Sequence, residues 1–143
     1  MSYNWVEDIA EMHEKYGFHE EVSKMDVDKL KALLEFRSNF INEESYELEE
    51  AITKGDMNEV VDALIDICVV AIGTLDLFRV YSHEAWSEVH SKNMQKEVGI
   101  KESRPNPFGL PDLIKPTMKS HGWDWKPPSH KKNLGLLKKI AND

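Results

Sequence analysis

Apolar positions recur at helical spacing over most of the first hundred residues, and the pattern breaks into four helices. Val6, Ile9, Ala10 and His13 share one side of a first helix over 4–16, which Gly17 stops. Residues 18–25 read as a linker. Asp26 or Asp28 then caps a second helix, the longest, predicted to reach Thr53. Its apolar positions, from Leu30 and Leu33 to Leu48 and Ala51, keep the period throughout, and Gly55 is a natural stop. Asp56 opens a third helix to about Val80, and Ser82 caps a fourth to about Val98, with Trp86 and Val89 expected on its inner face.

The third helix carries the strongest signal. Val60, Val61, Ala63, Leu64, Ile65 and Ile67 to Ile72 cover nearly its whole circumference, interrupted only by the line Glu59, Asp62, Asp66. A helix apolar all round must be covered all round. Four helices from one chain have trouble doing so, which predicts self-association, as a dimer sharing the bundle core.

From Gly99 the texture changes: all six prolines stand at or after Pro105, so only short elements fit there. Trp123, Trp125, Phe108 and Leu113 are anchors that argue against disorder. A short terminal helix over Lys131–Ile140 would pack Leu134, Leu137 and Ile140, although Gly135 weakens it. The expectation is an all-α fold: a helical domain over 1–98 with a four-helix-bundle-type core shared between subunits. An extended Pro/Trp-rich extension over 99–143 would wrap that core or a neighbouring subunit.

Charge sharpens this picture. The net charge is −8, yet residues 1–98 carry 9 basic and 22 acidic side chains, and residues 99–143 carry 9 and 4. So acidic a body excludes duplex nucleic acid as a partner. The single cysteine, Cys68, cannot form an internal disulfide; it reads as a packing residue in a reducing, cytoplasmic compartment. The N-terminus lacks the basic and apolar regions of a signal peptide, and the longest apolar run is far too short to span a membrane. His13 and His19 read as partly exposed polar residues.

Nine of the 26 acidic residues fall within positions 43–66. At about 100° per residue, Leu33, Arg37, Phe40, Leu48 and Ala51 lie within about 40° of Glu44, and Glu47 lies about 60° away. Glu44 therefore sits mid-stripe on the face its helix should bury. Two carboxylates roughly 6 Å apart repel by about 3 kcal/mol at an effective dielectric near 20, and facing acids multiply that cost. Bound cations, raised proton affinities or an outward orientation of the acids must offset it. An all-oxygen set suits a hard metal, Mg²⁺ or Mn²⁺, held by Glu44, Glu47 and Asp62. The plainer reading is solvated helix charge plus capping. It fits Glu49 and Glu50, and Glu59 could be only the partner of Asp56 in a capping box.

A metal so placed can neutralise a polyphosphate and activate water. Asn93 and Lys96, with Lys92 beside them, could add an amide contact and a phosphate contact, unless they are only a solvated helix end. No Glu-x-x-His, His-Glu-x-x-His, Cys-x-x-Cys, Gly-rich phosphate loop or Gly-x-Ser-x-Gly is present. Phe36, Phe40, Trp5 and Trp86 could each stack on a base, though such residues are more often core.

Glu43-Glu44-x-x-Glu47, eleven intervening residues and then Glu59-x-x-Asp62 resemble the signature of the all-α nucleoside triphosphate pyrophosphohydrolases. That group includes MazG-like enzymes, phosphoribosyl-ATP pyrophosphohydrolases and all-α dUTPases. Val61-Asp62-Ala63-Leu64-Ile65-Asp66 and Ala85-Trp86-x-Glu88-Val89-His90-x-x-Asn93-Met94-x-Lys96 are similar as well. Gly122-Trp123-x-Trp125-Lys126-Pro127-Pro128 looks like the tail of some small members.

The resemblance implies cleavage of a nucleoside triphosphate between its α- and β-phosphates, giving monophosphate and pyrophosphate. It implies Glu44, Glu47, Glu59 and Asp62 as Mg²⁺ ligands, with Glu43 and Asp66 as adjacent carboxylates. Glu47 or Glu43 would be the base, Asn93 a nucleotide contact and Lys96, flanked by Lys92, a phosphate contact. It also implies a homodimer or homotetramer. The competing class is a catalytically silent helical module whose acidic groove holds a structural metal or a basic partner. Such a descendant should have lost an acidic ligand, and none is missing.

Overall fold

The computed structural model describes residues 3–104 and 106–142; Met1, Ser2, Pro105 and Asp143, which include the first proline and the last residue of the expected C-terminal extension, lie outside the described residues. The chain divides into two compact units, one formed by 1–83 with 133–143 and the other by 84–132.

The first unit holds α1 (Trp5–Lys15), α2 (Phe18–Ser23), α3 (Val27–Lys54) and α4 (Met57–Leu77). Local signals fix the ends of the long pair. The Asp26 side chain accepts from Lys29 N–H at α3's start, and Asp56 accepts from Glu59 N–H at α4's start. Gly55 closes α3 in the left-handed conformation (φ 69°) that glycine adopts without steric cost. Only Gly55 and Asp56 separate the two helices, so they form a hairpin and pack along each other. α1 and α2 lie against α4, and Leu30, Ala51, Ala63, Val70, Leu77 and Phe78 are buried among them.

Several expectations need correction here. Residues 18–25 are not a linker, because Gly17 turns the chain (φ 75°) and Phe18–Ser23 forms a short helix that buries Val22. α4 ends at Leu77, not Val80. The expected short terminal helix is present as a 3₁₀ helix over Gly135–Ile140, starting four residues later than Lys131. Gly135 has φ 54°, and any side chain there would run into the Phe78 and Arg79 backbone, while Leu136 N–H donates to the Phe78 carbonyl at 2.6 Å. The glycine is what lets the returning chain dock so closely. The all-round apolar α4 is only partly covered by its own chain, since Val61, Leu64 and Ile65 remain exposed.

The second unit contains most of α5 (Ser82–Met94), the strands β1 (Glu97–Gly99) and β2 (Asp112–Ile114), and α6 (Met118–His121). α5 stops four residues short of Val98. Gln95 and Lys96 form a turn on the Lys92 and Asn93 carbonyls, and Glu97–Gly99 then pairs antiparallel with Asp112–Ile114, Val98 opposite Leu113. A ladder partner thus takes residues that helical spacing alone would have continued. Trp86 is 72% exposed and Val89 is exposed too, so the expected inner face of α5 is not buried by this chain. Trp125 anchors the tail within this unit. Its Nε1–H donates to the Lys92 carbonyl at 2.8 Å, and Lys96 and Lys115 place Nζ over its ring at 5.4 and 5.0 Å.

Candidate active site

The α3–α4 hairpin gathers the acids that the sequence singles out. Glu43, Glu44 and Glu47 project from the second half of α3, and Glu59, Asp62 and Asp66 from the first half of α4. Glu44 is 8% exposed, and its Oε2 has no hydrogen-bond partner among the described residues. Glu59 and Asp66 are half-buried; Glu43, Glu47 and Asp62 are exposed. The burial of Glu44 follows the angular reading of the sequence, whereas Glu43, Glu47 and Asp62 face outward, and among the described residues the acids do not bring three ligand atoms within 4.8 Å of one another.

The charges of these acids act on one another. Burial, then the charges of Glu47, Asp66 and Glu43 together with a hydrogen bond to Glu47, raises the proton affinity of Glu44 above the carboxylate norm. Burial likewise raises Asp66, with Asp62 (a charge and a hydrogen bond) and Glu47 adding to it. Glu59 is raised by desolvation and by Asp62, Asp56, Glu47 and Asp66. Glu47 acts on all three, so it is the hub. Every charge that acts on these three groups is a carboxylate, which marks a site short of positive charge.

Glu59 has two separable parts. Its backbone N–H serves the Asp56 cap, while its carboxylate belongs to the acid cluster. Capping therefore does not use up the side chain. The ground beside the cluster is concave. Asn39, Asn42, Glu43, Tyr46, Glu47 and Glu50 line an open hollow of about 590 Å³, and Glu47, Glu50, Ala51, Lys54, Asp56 and Glu59 line one of about 230 Å³.

A hard divalent cation fits these residues. Among the described residues one buried carboxylate oxygen lacks a donor, and the charges that act on its group are all carboxylates. Lys92, Asn93 and Lys96 belong to the second unit. Lys92 and Lys96 are half-buried and Asn93 is exposed; Lys96 stands in the turn after α5 and not on the helix. Of the aromatic candidates, Trp5, Phe36 and Trp86 are exposed and only Phe40 is half-buried, so three of the four are not core in this chain. Cys68 is half-buried and shares an apolar hollow of about 260 Å³ with Trp5, Ile9 and Ile72.

A second polar cluster escaped the sequence reading. His13 is 1% exposed, not partly exposed as expected, and its Nδ1 lies 2.6 Å from Asp76 Oδ2. His19 Nε2 lies 2.6 Å from the same oxygen, and its Nδ1 lies 3.3 Å from Glu14 Oε2. Burial disfavours the charged His19, but hydrogen bonds and charges from Asp76 and Glu14 outweigh it, and its proton affinity is raised overall. Beside His13, buried Arg37 donates from Nε to Thr74 Oγ1 and from a terminal nitrogen to the Val70 carbonyl. Gly73 makes room for both, since a Cβ there would stand 2.7 Å from Arg37 and 3.3 Å from His13. Burial lowers the proton affinity of Arg37. The available signal was a histidine on the apolar side of α1 and an acid near the end of an apolar α4.

Among the described residues no helix is long and apolar enough to cross a membrane. Comparison with curated proteins and with solved structures gave no match. A family model described as phosphoribosyl-ATP pyrophosphohydrolase matches residues 17–93, more than half of the chain. The matched segment takes in both acidic motifs and ends on Asn93, so Lys96 lies just beyond it. Family membership indicates a hydrolase of the pyrophosphohydrolase type, acting on nucleotides. The chain belongs to the phosphoribosyl-ATP pyrophosphohydrolase family.

Proposed function

We propose that this protein is a Mg²⁺-dependent nucleoside triphosphate pyrophosphohydrolase, which breaks the bond between the α- and β-phosphates to give monophosphate and pyrophosphate. The observation that carries the reading is Glu44: a buried carboxylate, one oxygen without a donor, amid acids from two helices. Glu44, Glu47, Glu59 and Asp62 hold the cation, with Mn²⁺ an acceptable substitute for Mg²⁺. Bound there, the ion would neutralise triphosphate charge and polarise the attacked phosphorus.

The chain's own groups do the rest. Glu47, or Glu43 beside it on the open hollow, takes the proton of the attacking water onto a carboxylate oxygen. Asp66, on the same helix as Asp62 and close enough for its charge to act, is the carboxylate that would orient this ligand. Asn93 binds the nucleoside end, and Lys96, with Lys92 nearby in sequence, meets phosphate oxygens. The exposed Val61, Leu64 and Ile65 on α4 support a homodimer or homotetramer in which a second copy covers that face.

Each ribo- and deoxynucleoside triphosphate, and phosphoribosyl-ATP, should be incubated with the protein and Mg²⁺ while pyrophosphate and orthophosphate are measured separately. At least one should yield pyrophosphate and its monophosphate in equal amounts. Orthophosphate alone, or no product from any of them, would sink the assignment. Light scattering at low micromolar concentration should give at least twice the chain mass; a monomer would remove the oligomer from the proposal.

A further inference from the structure

His13, His19 and Asp76 come from α1, α2 and α4, and residues 57 and 63 positions apart in sequence meet on one carboxylate oxygen. Their three ligand atoms all lie within 4.8 Å of one another. We propose that these residues form a second cation site, for a transition metal of the Zn²⁺ class, independent of the acidic cluster. Two imidazoles and one carboxylate are a donor set for borderline-soft ions, whereas the Glu44 cluster offers only oxygen. Asp76 follows Asp66 by ten residues of the same helix, or roughly 15 Å along its axis, so one ion cannot serve both.

The distances suit the exchange. A tetrahedral ion with ligands at about 2.1 Å holds them about 3.4 Å apart. Asp76 Oδ2 now stands 2.6 Å from each ring nitrogen, so it need withdraw from each by less than about 1 Å. The ion takes the place of the proton now shared between each ring nitrogen and that oxygen.

Independent of the cluster itself, Glu14 holds the far nitrogen of His19 at 3.3 Å. That is the carboxylate–imidazole arrangement by which metal-binding histidines are fixed in orientation. His13 is shut away from solvent, but His19 is about one-third exposed, leaving a side open for the ion to enter and for water to complete its shell.

The test uses the full-length chain, stripped of metal and then held in excess Mg²⁺ so that the acidic cluster is supplied. Co²⁺ is titrated as the probe, its visible absorption reporting the ligand field, and Zn²⁺ is added as competitor. One equivalent of Co²⁺ should bind with the intense bands of a nitrogen-containing, four- or five-coordinate site, and Zn²⁺ should displace it. Glu44→Gln should bind Co²⁺ unchanged, which separates this site from the acidic one whether or not the protein turns over nucleotides. His19→Ala should lose the bands, as should His19→Gln, which keeps a hydrogen-bond donor toward Asp76 and guards against misfolding. Glu14→Gln should weaken Co²⁺ by about tenfold. Undiminished Co²⁺ bands in both His19 variants would overturn the proposal. So would a wild-type spectrum showing only the weak bands of an all-oxygen site, or no Co²⁺ binding at all.

Discussion

The two polar clusters along α4 differ in how they are balanced. Near its end, Asp76 is met by His13 and His19, groups that can carry the protons its oxygen accepts. In its first half, Glu59, Asp62 and Asp66 face Glu44 and Glu47, and every group is an acid. One cluster satisfies itself and ties three helices together. The other leaves Glu44 Oε2 without a donor and raises proton affinities as partial compensation. Burial is common to both; what separates them is whether the chain supplies its own counter-charge. Where it does not, a cation would supply missing counter-charge; at His13, His19 and Asp76 the proposed cation would instead displace protons that already balance the cluster.

Paired substitutions should break this comparison most sharply. Glu44→Gln removes a ligand, so pyrophosphate release should fall by at least about 100-fold, the equivalent of several kcal/mol of lost charge stabilisation. The same change relieves repulsion, so the metal-free protein should melt higher than the parent in differential scanning calorimetry. Asp76→Ala should do the reverse to stability. It strands the buried His13 Nδ1 and should cost about 1–3 kcal/mol, seen as a lower Tm with or without Mg²⁺. If Glu44→Gln instead melted lower without metal, the acid cluster would not be a strained site.

The response to pH sharpens the contrast further. Glu44, Glu59 and Asp66 bind protons more readily folded than unfolded. Their contribution is fully present below the ordinary carboxylate value of about 4, and it is lost as pH rises through their raised values. His19 behaves alike in a higher window: its contribution is complete below 6.5 and fades as pH climbs through its raised value. Chemical denaturation of the chelated protein should therefore show stability declining in two stages. Mg²⁺ should flatten the first stage only, and His19→Gln should remove the second only. A single decline that Mg²⁺ leaves unchanged would mean that the acids are not where the cation binds.

What could be read from the sequence divides along the same line. Asp26, Gly55 and Asp56 announce the ends of α3 and α4 because caps are local. Glu44 could be placed on the buried side of α3 because one helix's period fixes which residues share a face; Glu47, at the edge of that stripe, is exposed. The all-round apolar α4 likewise carries its own notice of an uncovered side, borne out by exposed Val61, Leu64 and Ile65. The His13–Asp76 pair was hidden because it joins separate helices 63 residues apart, and no period connects them. Short elements also escaped. Phe18–Ser23 is too brief to show a period, and Glu97–Gly99 leaves the helical pattern because of a partner strand thirteen or more residues downstream.

The smallest expected effect concerns where capping ends and the acid cluster begins. Asp56 stabilises the first turn of α4 through Glu59 N–H, and its charge also raises the proton affinity of Glu59. Asp56→Ala should cost about 1 kcal/mol from the lost cap. The compensating relief is small, because Asp56 acts on Glu59 less than burial and Asp62 do. Glu59→Gln keeps the N–H that the cap needs, so it should lower turnover without lowering the metal-free Tm. The two neighbours thus come apart in a single pair of melts: one substitution is felt in the fold and the other in the chemistry. If Glu59→Gln destabilised the metal-free protein as much as Asp56→Ala, the Glu59 carboxylate would be part of the helix start and would drop out of the ligand set.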